Sequence, residues 1–325
     1  MRRARPATPR SALGAIAPST LAAIARSALG AIAATLLSLT LVACGSGAAT
    51  PGGGKVAVVA AENFWGSIAA QVGGSKASVQ SIIVDPAEDP HSYEPTAANA
   101  RTLASAQLAI VNGVGYDPWA PKLLAANPTP GRITLTVGSQ FGLKEGDNPH
   151  RWYDPAEVLT VASTIAADLK KLDPNDASYF DQRLKAFETQ DLARYRSLIA
   201  QIASRYGGTA VGASESIFAL LAPALHLDLL TPPSFMKAIS EGTDVTAQDT
   251  LTTQQQIENH RIKVWIYNSQ NTTPAVQRLN ALARAAHIPT VTITETLDPA
   301  SDSFEQWQVA QLQRIERALH RATGR

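Results

Sequence analysis

Eight short apolar runs constrain this chain more than any other feature. Four come early, at residues 55–60, 79–84, 108–112 and 133–136; four come late, at 209–213, 225–230, 263–267 and 290–294. Continuous runs of this length suit strands buried on both faces of a parallel sheet. Helical patterns separate them, for example at 95–105 and 118–126, which is the punctuation of βαβ units. Between the two sets the texture turns wholly helical. Asp154 and Pro155 suit the N-cap and first turn of a helix reaching Leu172, and Asp173-Pro174-Asn175 breaks it. A second pattern then runs through 176–206 with no internal Pro or Gly and stops at Gly207-Gly208. Some 30 helical residues span about 45 Å. No apolar heptad persists, so this is not a coiled coil. Residues 304–321 read as a terminal amphipathic helix. The predicted fold class is α/β, with two lobes. Each lobe has a small, mostly parallel sheet flanked by helices, and one long rigid helix joins the two.

The first 54 residues read differently. Arg2, Arg3, Arg5, Arg10 and Arg26 precede an apolar run at 28–43 that is short and rich in small residues. It suits the apolar stretch of a secretory signal better than a membrane span. It ends Leu41-Val42-Ala43-Cys44-Gly45, which resembles a bacterial lipobox, with Cys44 as the lipidated residue after cleavage. Cys44 is the only cysteine, so no disulfide can form within one chain. The Gly/Ser/Pro-rich stretch that follows suits a flexible tether. The expected organisation is a lipoprotein signal peptide at 1–43, a tether at 44–54, an N-terminal lobe at 55–175, a linking helix at 176–206 and a C-terminal lobe at 207–325. Losing five arginines takes the formal charge from +1 to −4. A mildly acidic surface without a basic aromatic patch gives no reason to expect nucleic acid.

Two histidines sit in near-matching frames. His91 lies in Asp89-Pro90-His91-Ser92-Tyr93-Glu94-Pro95, and His150 lies in Asn148-Pro149-His150-Arg151-Trp152-Tyr153-Asp154-Pro155. Proline fixes its own φ and holds the preceding residue extended, so each imidazole is presented from a stiff loop. Two such imidazoles among only six histidines suggest a metal site. Two acidic positions in the second lobe complete the set. Glu215 follows a strand in Ala213-Ser214-Glu215-Ser216, and an acid near 295 follows the last strand in Thr294-Glu295-Thr296-Leu297-Asp298-Pro299. Ligands of open α/β sheets bind outside the carboxyl ends of the strands, so all four elements would face one interlobe cleft. Taken singly, each acid reads more simply as a helix cap or an exposed loop residue.

These residues carry a resemblance. The chain resembles the solute-binding lipoproteins of zinc/manganese ABC transporters, the cluster A-I metal-binding proteins, over essentially all of 55–325. The most specific part is Pro-His-x-x-Glu-Pro at 90–95 with Asn-Pro-His-x-Trp-x-Asp-Pro at 148–155. Asn63-Phe64-Trp65-Gly66 and Asn112-Gly113-x-Gly115 are further shared features. The resemblance implies one divalent ion held between two lobes. It implies His91 and His150 as the first two metal ligands and Glu215 as the third. Glu295 or Asp298 would be the fourth; Glu295 is favoured as nearer the strand end. Glu94, Asp154 and the loop near Asn63 are expected to orient ligands, and Trp65, Trp119 and Trp152 to pack around the cleft. His226, His260, His287 and His320 are read as non-ligands. The implied partners are an ABC permease with its ATPase, and the membrane through a lipid anchor on its extracytoplasmic face, with the protein itself a monomer. Glu rather than His at 215, and the lack of any histidine between Ser92 and Pro149, place Mn²⁺ ahead of Zn²⁺, with Fe²⁺ a further candidate.

Two other classes compete. A secreted zinc metallohydrolase needs an open coordination position and a spare general base. Here four protein ligands would close the site, and the chain has no His-Glu-x-x-His motif and no Gly-x-Ser-x-Gly elbow. A surface adhesin with a structural metal site is the other alternative. The expectation is a non-enzymatic metal-binding protein.

Overall fold

The computed structural model describes residues 54–325; the readings for the signal segment, for Cys44 and for the tether before Gly54 lie outside the described residues. The first half carries β1 (Val56–Glu62), α1 (Asn63–Gly73), β2 (Ala77–Ile83), α2 (Ala97–Ala104), β3 (Leu108–Val111), α3 (Trp119–Ala126), β4 (Ile133–Thr136) and the single turn α4 (Val137–Gln140). Then come α5 (Pro155–Leu172), α6 (Ala177–Ala186) and α7 (Ala193–Tyr206). The second half carries β5 (Ala210–Ala213), β6 (Asp228–Leu229), α8 (Pro233–Ser240), α9 (Ala247–Glu258), β7 (Val264–Asn268), α10 (Pro274–Ala285), β8 (Thr290–Ile293) and α11 (Phe304–Thr323).

The two sheets repeat one topology. The first has the order β2-β1-β3-β4 and the second β6-β5-β7-β8, and every pairing is parallel. Val58 pairs with Val79 on one side and Leu108 on the other. Val211 sits likewise between Leu229 and Val264. Central strands sandwiched by helices need apolar residues on both faces, which is why β3 is buried throughout. The strand predicted at 225–230 shortens to two residues. His226 takes a left-handed conformation (φ 53°) after the preceding helical turns, and pairing begins only at Asp228. His260 and His287 also take positive φ just after α9 and α10, so these three exposed histidines end helical turns.

The linking segment is not one regular helix. A five-residue π turn at Phe187–Asp191 lies between α6 and α7, with Leu192 N donating to Phe187 O at 2.9 Å. One extra residue rotates the following apolar stripe by about 100°. That rotation serves two different partners. α6 packs on α1 and α5, whereas α7 packs on α11. Phe187 and Leu192 are both buried at the junction.

One apolar core runs through both halves. Trp152 is fully buried and stacks on Phe64 with ring centroids 3.8 Å apart and planes at 17°. Gly66 lets α1 lie close on β2, since a Cβ there would collide with the Ser81 hydroxyl. Behind the cleft the halves are tied by polar contacts. Tyr153 Oη donates to Thr294 O (2.7 Å), Leu297 N to Asn63 Oδ1 (3.2 Å) and Phe304 N to Ser67 Oγ (2.8 Å).

Candidate metal centre

Each of the four candidate metal ligands lies on a connection leaving the carboxyl end of a sheet. His91 sits in a short 3₁₀ turn, Pro90–Ser92, between β2 and α2. Asp89 caps that turn by accepting from His91 N at 2.9 Å. His150 precedes a second such turn, Arg151–Tyr153, just before α5. Glu215 follows β5, and Glu295 follows β8.

Ligand atoms of His91, His150 and Glu295 lie within 4.8 Å of one another. His91 Nε2 is 4.0 Å from Glu295 Oε2. The ring centroids of His91 and His150 are 6.2 Å apart. The Nε2 atoms of both histidines are buried and accept or donate no hydrogen bond within the protein. Buried polar atoms are nearly always paired, so two orphans converging on a carboxylate point to a bound cation. Ligand atoms about 2.1 Å from a tetrahedral ion lie about 3.4 Å from each other, so a modest inward movement of these side chains would complete a shell.

Glu215 stands beside this group. The Asn268 Nδ2 amide donates to Glu215 Oε2 (2.6 Å) and to Glu295 Oε1 (2.7 Å), so a single nitrogen holds both carboxylates together. Asn271 Nδ2 donates to Glu215 Oε1 at 2.6 Å, and Tyr116 Oη donates to Glu295 Oε2 at 2.9 Å. All four carboxylate oxygens are thus oriented by neutral donors, which add no charge to offset the pair. Glu215 makes no helix-capping hydrogen bond, so the simpler reading of that residue does not describe it. Asp298 is exposed and lies outside the group.

Burial sets the protonation of the centre. It pushes His91 below the usual imidazole range and His150 well below it, the latter helped by His91 and Arg151. Both rings are therefore neutral near pH 7, as ligation requires. His150 Nδ1 lies 2.9 Å from Asn148 Oδ1, an acceptor that fixes the proton on Nδ1 and leaves the Nε2 lone pair facing the centre. Burial raises the Glu215 carboxyl to about 7, against the hydrogen bonds from Asn268 and Asn271. It raises Glu295 further, with Glu215 beside it adding repulsion. A divalent cation would relieve both.

Some expectations about supporting residues change. Glu94 is exposed and makes no side-chain hydrogen bond among the described contacts, so it does not orient a ligand. Asp154 spends its carboxylate on capping α5 at Ala156 N and Glu157 N. Trp152 does pack on the centre, 5.3 Å from the His150 ring, whereas Trp119 packs on Tyr93 in a separate cluster. The residues that sequence reasoning missed are Tyr116, Asn268, Gln270 and Asn271. The run Asn268-Ser269-Gln270-Asn271 leaves the carboxyl end of β7, and that position was the available signal.

A cavity of about 470 Å³ adjoins His91 and is lined from both halves, by Asn148 and Glu145 on one side and Ser216, Met236 and Glu241 on the other. Lys237 Nζ donates to Gly146 O at 2.5 Å across it.

Paired parallel four-stranded sheets, with candidate ligands at their carboxyl ends, define this protein as having the fold of periplasmic metal-binding proteins. A Cd-bound periplasmic metal-binding protein from Candidatus Liberibacter asiaticus superposes with a TM-score of 0.68 at 18% identity, covering 82% of this chain and all of that one. The solute-binding protein FpvC of Pseudomonas aeruginosa, in complex with Mn²⁺, gives 0.65 at 20% identity over 83% of this chain and 99% of that one. The family model described as ZnuA, zinc-uptake complex component A, periplasmic, matches residues 58–318, and the chain belongs to that family. Among curated relatives, the manganese ABC transporter substrate-binding lipoprotein PsaA of Streptococcus pneumoniae is 32% identical over 166 residues, 47% of this chain and 53% of its own length. The manganese-binding lipoprotein MntA of Halalkalibacterium halodurans is 28% identical over 165 residues, 48% and 54%. The chain thus spans about half the length of the curated relatives it matches.

Proposed function

We propose that this protein captures one divalent transition-metal ion between its two halves and delivers it to an ABC permease for import. The observation that carries this reading is the pair of buried, unpartnered imidazole nitrogens converging on the carboxylate of Glu295, to which one amide holds Glu215. His91, His150, Glu215 and Glu295 are the proposed ligands. Two neutral imidazoles and two carboxylates give a net charge of −2, which cancels that of the cargo. The cavity beside His91 is the proposed access route, with Glu145 and Glu241 on its walls favouring cations.

The cargo we favour is Mn²⁺, with Zn²⁺ next and Fe²⁺ after it. Carboxylates suit manganese and imidazole suits zinc, and the Irving–Williams order favours zinc in raw affinity. Two carboxylates, each with both oxygens oriented, can raise the coordination number above four, which suits manganese. The protein is read as non-enzymatic, because the proposed ligand set consumes both Glu215 and Glu295, whose oxygens are held by amide and phenol donors. Cys44 is the proposed lipid attachment site, holding a monomer at the extracytoplasmic face of the membrane beside its permease and ATPase. Elemental analysis of purified protein, with competitive titration by Mn²⁺, Zn²⁺ and Fe²⁺ and a hydrolase screen, tests the binding reading. Gene deletion tests the cargo: rescue of growth by zinc alone, with cellular manganese unchanged, would sink the manganese assignment. Cys44→Ala should release the protein from membranes.

A further inference from the structure

Two amide side chains cross the cleft in the same way. Gln270 leaves β7 in the C-terminal half. Its Oε1 accepts from Glu295 N (2.6 Å) and Thr296 N (3.1 Å), fixing the backbone that carries Glu295. Its Nε2 donates to Pro86 O (2.7 Å), on the loop that carries His91, and to Thr296 Oγ1 (2.8 Å). Asn148 does the converse from the N-terminal half. Its Oδ1 accepts from His150 N (3.1 Å) and faces His150 Nδ1 (2.9 Å). Its Nδ2 donates to Ser216 O (2.7 Å), next to Glu215. In each case the oxygen holds one candidate ligand's own segment. The nitrogen reaches the segment of a candidate ligand in the opposite half.

We infer that Asn148 and Gln270 are positioning residues that pair the ligands across the cleft, His150 with Glu215 and His91 with Glu295. The inference rests on the ligand set proposed above. The chemistry favours a primary amide at both places. Only an amide offers an acceptor and a two-proton donor on one rigid plane, so one side chain can serve both banks without adding charge. The His91 loop needs such a brace. It runs irregularly from Pro86 to Thr96 apart from one 3₁₀ turn, and the Gln270 bond to Pro86 is the side-chain hydrogen bond that joins it to the C-terminal half among the described residues. Tyr116 links the same two residues more loosely, its ring centroid 4.7 Å from that of His91 and its hydroxyl donating to Glu295, but it does not hold the backbone of either segment.

The pairing makes a specific prediction, read by chelator competition with Mn²⁺ and with Zn²⁺ on the folded protein. Gln270→Leu and Asn148→Ala should each weaken binding by about 10–100-fold, the usual effect of removing a group that orients ligands. Apo-protein circular dichroism should stay near wild type, melting should drop only modestly, and metal release in a chelator chase should speed up. The deciding readout is a set of double-mutant cycles. Gln270→Leu should cost much less in a His91→Ala background than in a His150→Ala background. Asn148→Ala should show the reverse order. Equal costs in both backgrounds would overturn the pairing, and unchanged affinity in both single variants would overturn the positioning role. Gln270→Glu, which keeps the acceptors but loses the donor to Pro86, should still speed release; wild-type release would assign Gln270 to the Glu295 side alone and overturn the cross-cleft role. Wild-type protein that binds neither metal is a separate failure, of the cargo reading, and removes the inference with it.

Discussion

Tyr116 and Glu295 meet across the cleft: the phenol beyond β3 donates a 2.9 Å hydrogen bond to a carboxylate beyond β8. Both groups are fully buried from solvent or nearly so. The bond selects one lone pair of Oε2 and leaves the other free for a cation. A hydrogen bond to a charged group is worth about 1.5–3 kcal/mol. Tyr116→Phe should therefore weaken metal binding about 10–100-fold while leaving the fold intact. Calorimetric titration checks this, and wild-type affinity in the variant would show the bond to be incidental.

The two acids after β8 should behave very differently. Glu295→Ala should lower affinity by more than about 100-fold, beyond what loss of an orienting group produces. Asp298 is exposed, and its replacement by Ala should change affinity by no more than about twofold, as surface substitutions do. The reverse order would move the ligand three residues downstream.

Metal affinity should rise with pH across neutrality. Glu215 titrates at about 7 because of its burial, and the metal must displace its proton. Both histidines are already neutral there and release nothing. Competition titrations should find affinity about tenfold higher near pH 8 than near pH 6 from Glu215 alone. In the apo protein the Glu215 contribution to stability has the opposite slope, and the two buried histidines, neutral in the fold, oppose it. A carboxyl whose folded value lies above its unfolded one stabilises the fold at low pH, and that contribution is lost as pH rises through about 7. Glu215→Gln isolates this contribution: the wild-type apo melting temperature, taken relative to that variant's, should fall between pH 5 and 8, and a relative rise would contradict it.

Trp152→Ala should be the most damaging change near the centre that removes no proposed ligand. The ring is fully buried between Phe64, Tyr116 and His150. Large-to-small changes of this kind cost about 3–5 kcal/mol. Urea unfolding should show a lower midpoint with an unchanged slope. A loss of stability under about 1 kcal/mol would mean that the aromatic cluster repacks.

Domain closure on metal binding should be small. α6 packs on α1 and α5, α7 packs on α11, and Tyr153 and Asn63 bond across behind the cleft. Moving one half as a rigid body would break these contacts together. Small-angle scattering profiles of apo and metal-loaded protein should nearly coincide. A hinge closure large enough to alter the radius of gyration visibly would place the flexing point at the π turn.

Much of this protein was legible in the sequence because its signals are local. The central strands β1, β3, β5 and β7 announce themselves as apolar runs, since a strand covered on both faces has no polar side to alternate with, whereas the edge strand β6 keeps only two residues of its predicted run. Asp154-Pro155 starts a helix by capping chemistry that needs no distant partner. His91, His150, Glu215 and Glu295 stood out by their frames and by their places after strands. Tertiary structure decided what depends on meeting. The π turn at Phe187–Asp191 exists because α6 and α7 face different neighbours, which no spacing within 176–206 encodes. Asp154 and Glu94 lie near histidines in sequence, yet one caps a helix and the other faces solvent. The groups that do hold the candidate centre lie far from the histidines along the chain and meet it only through folding: Tyr116 and Asn268 donate to the carboxylates, and Gln270 accepts from the backbone of Glu295. A candidate ligand can be marked by its own short motif. Its orientation is set by whichever buried donors the two sheets bring to it.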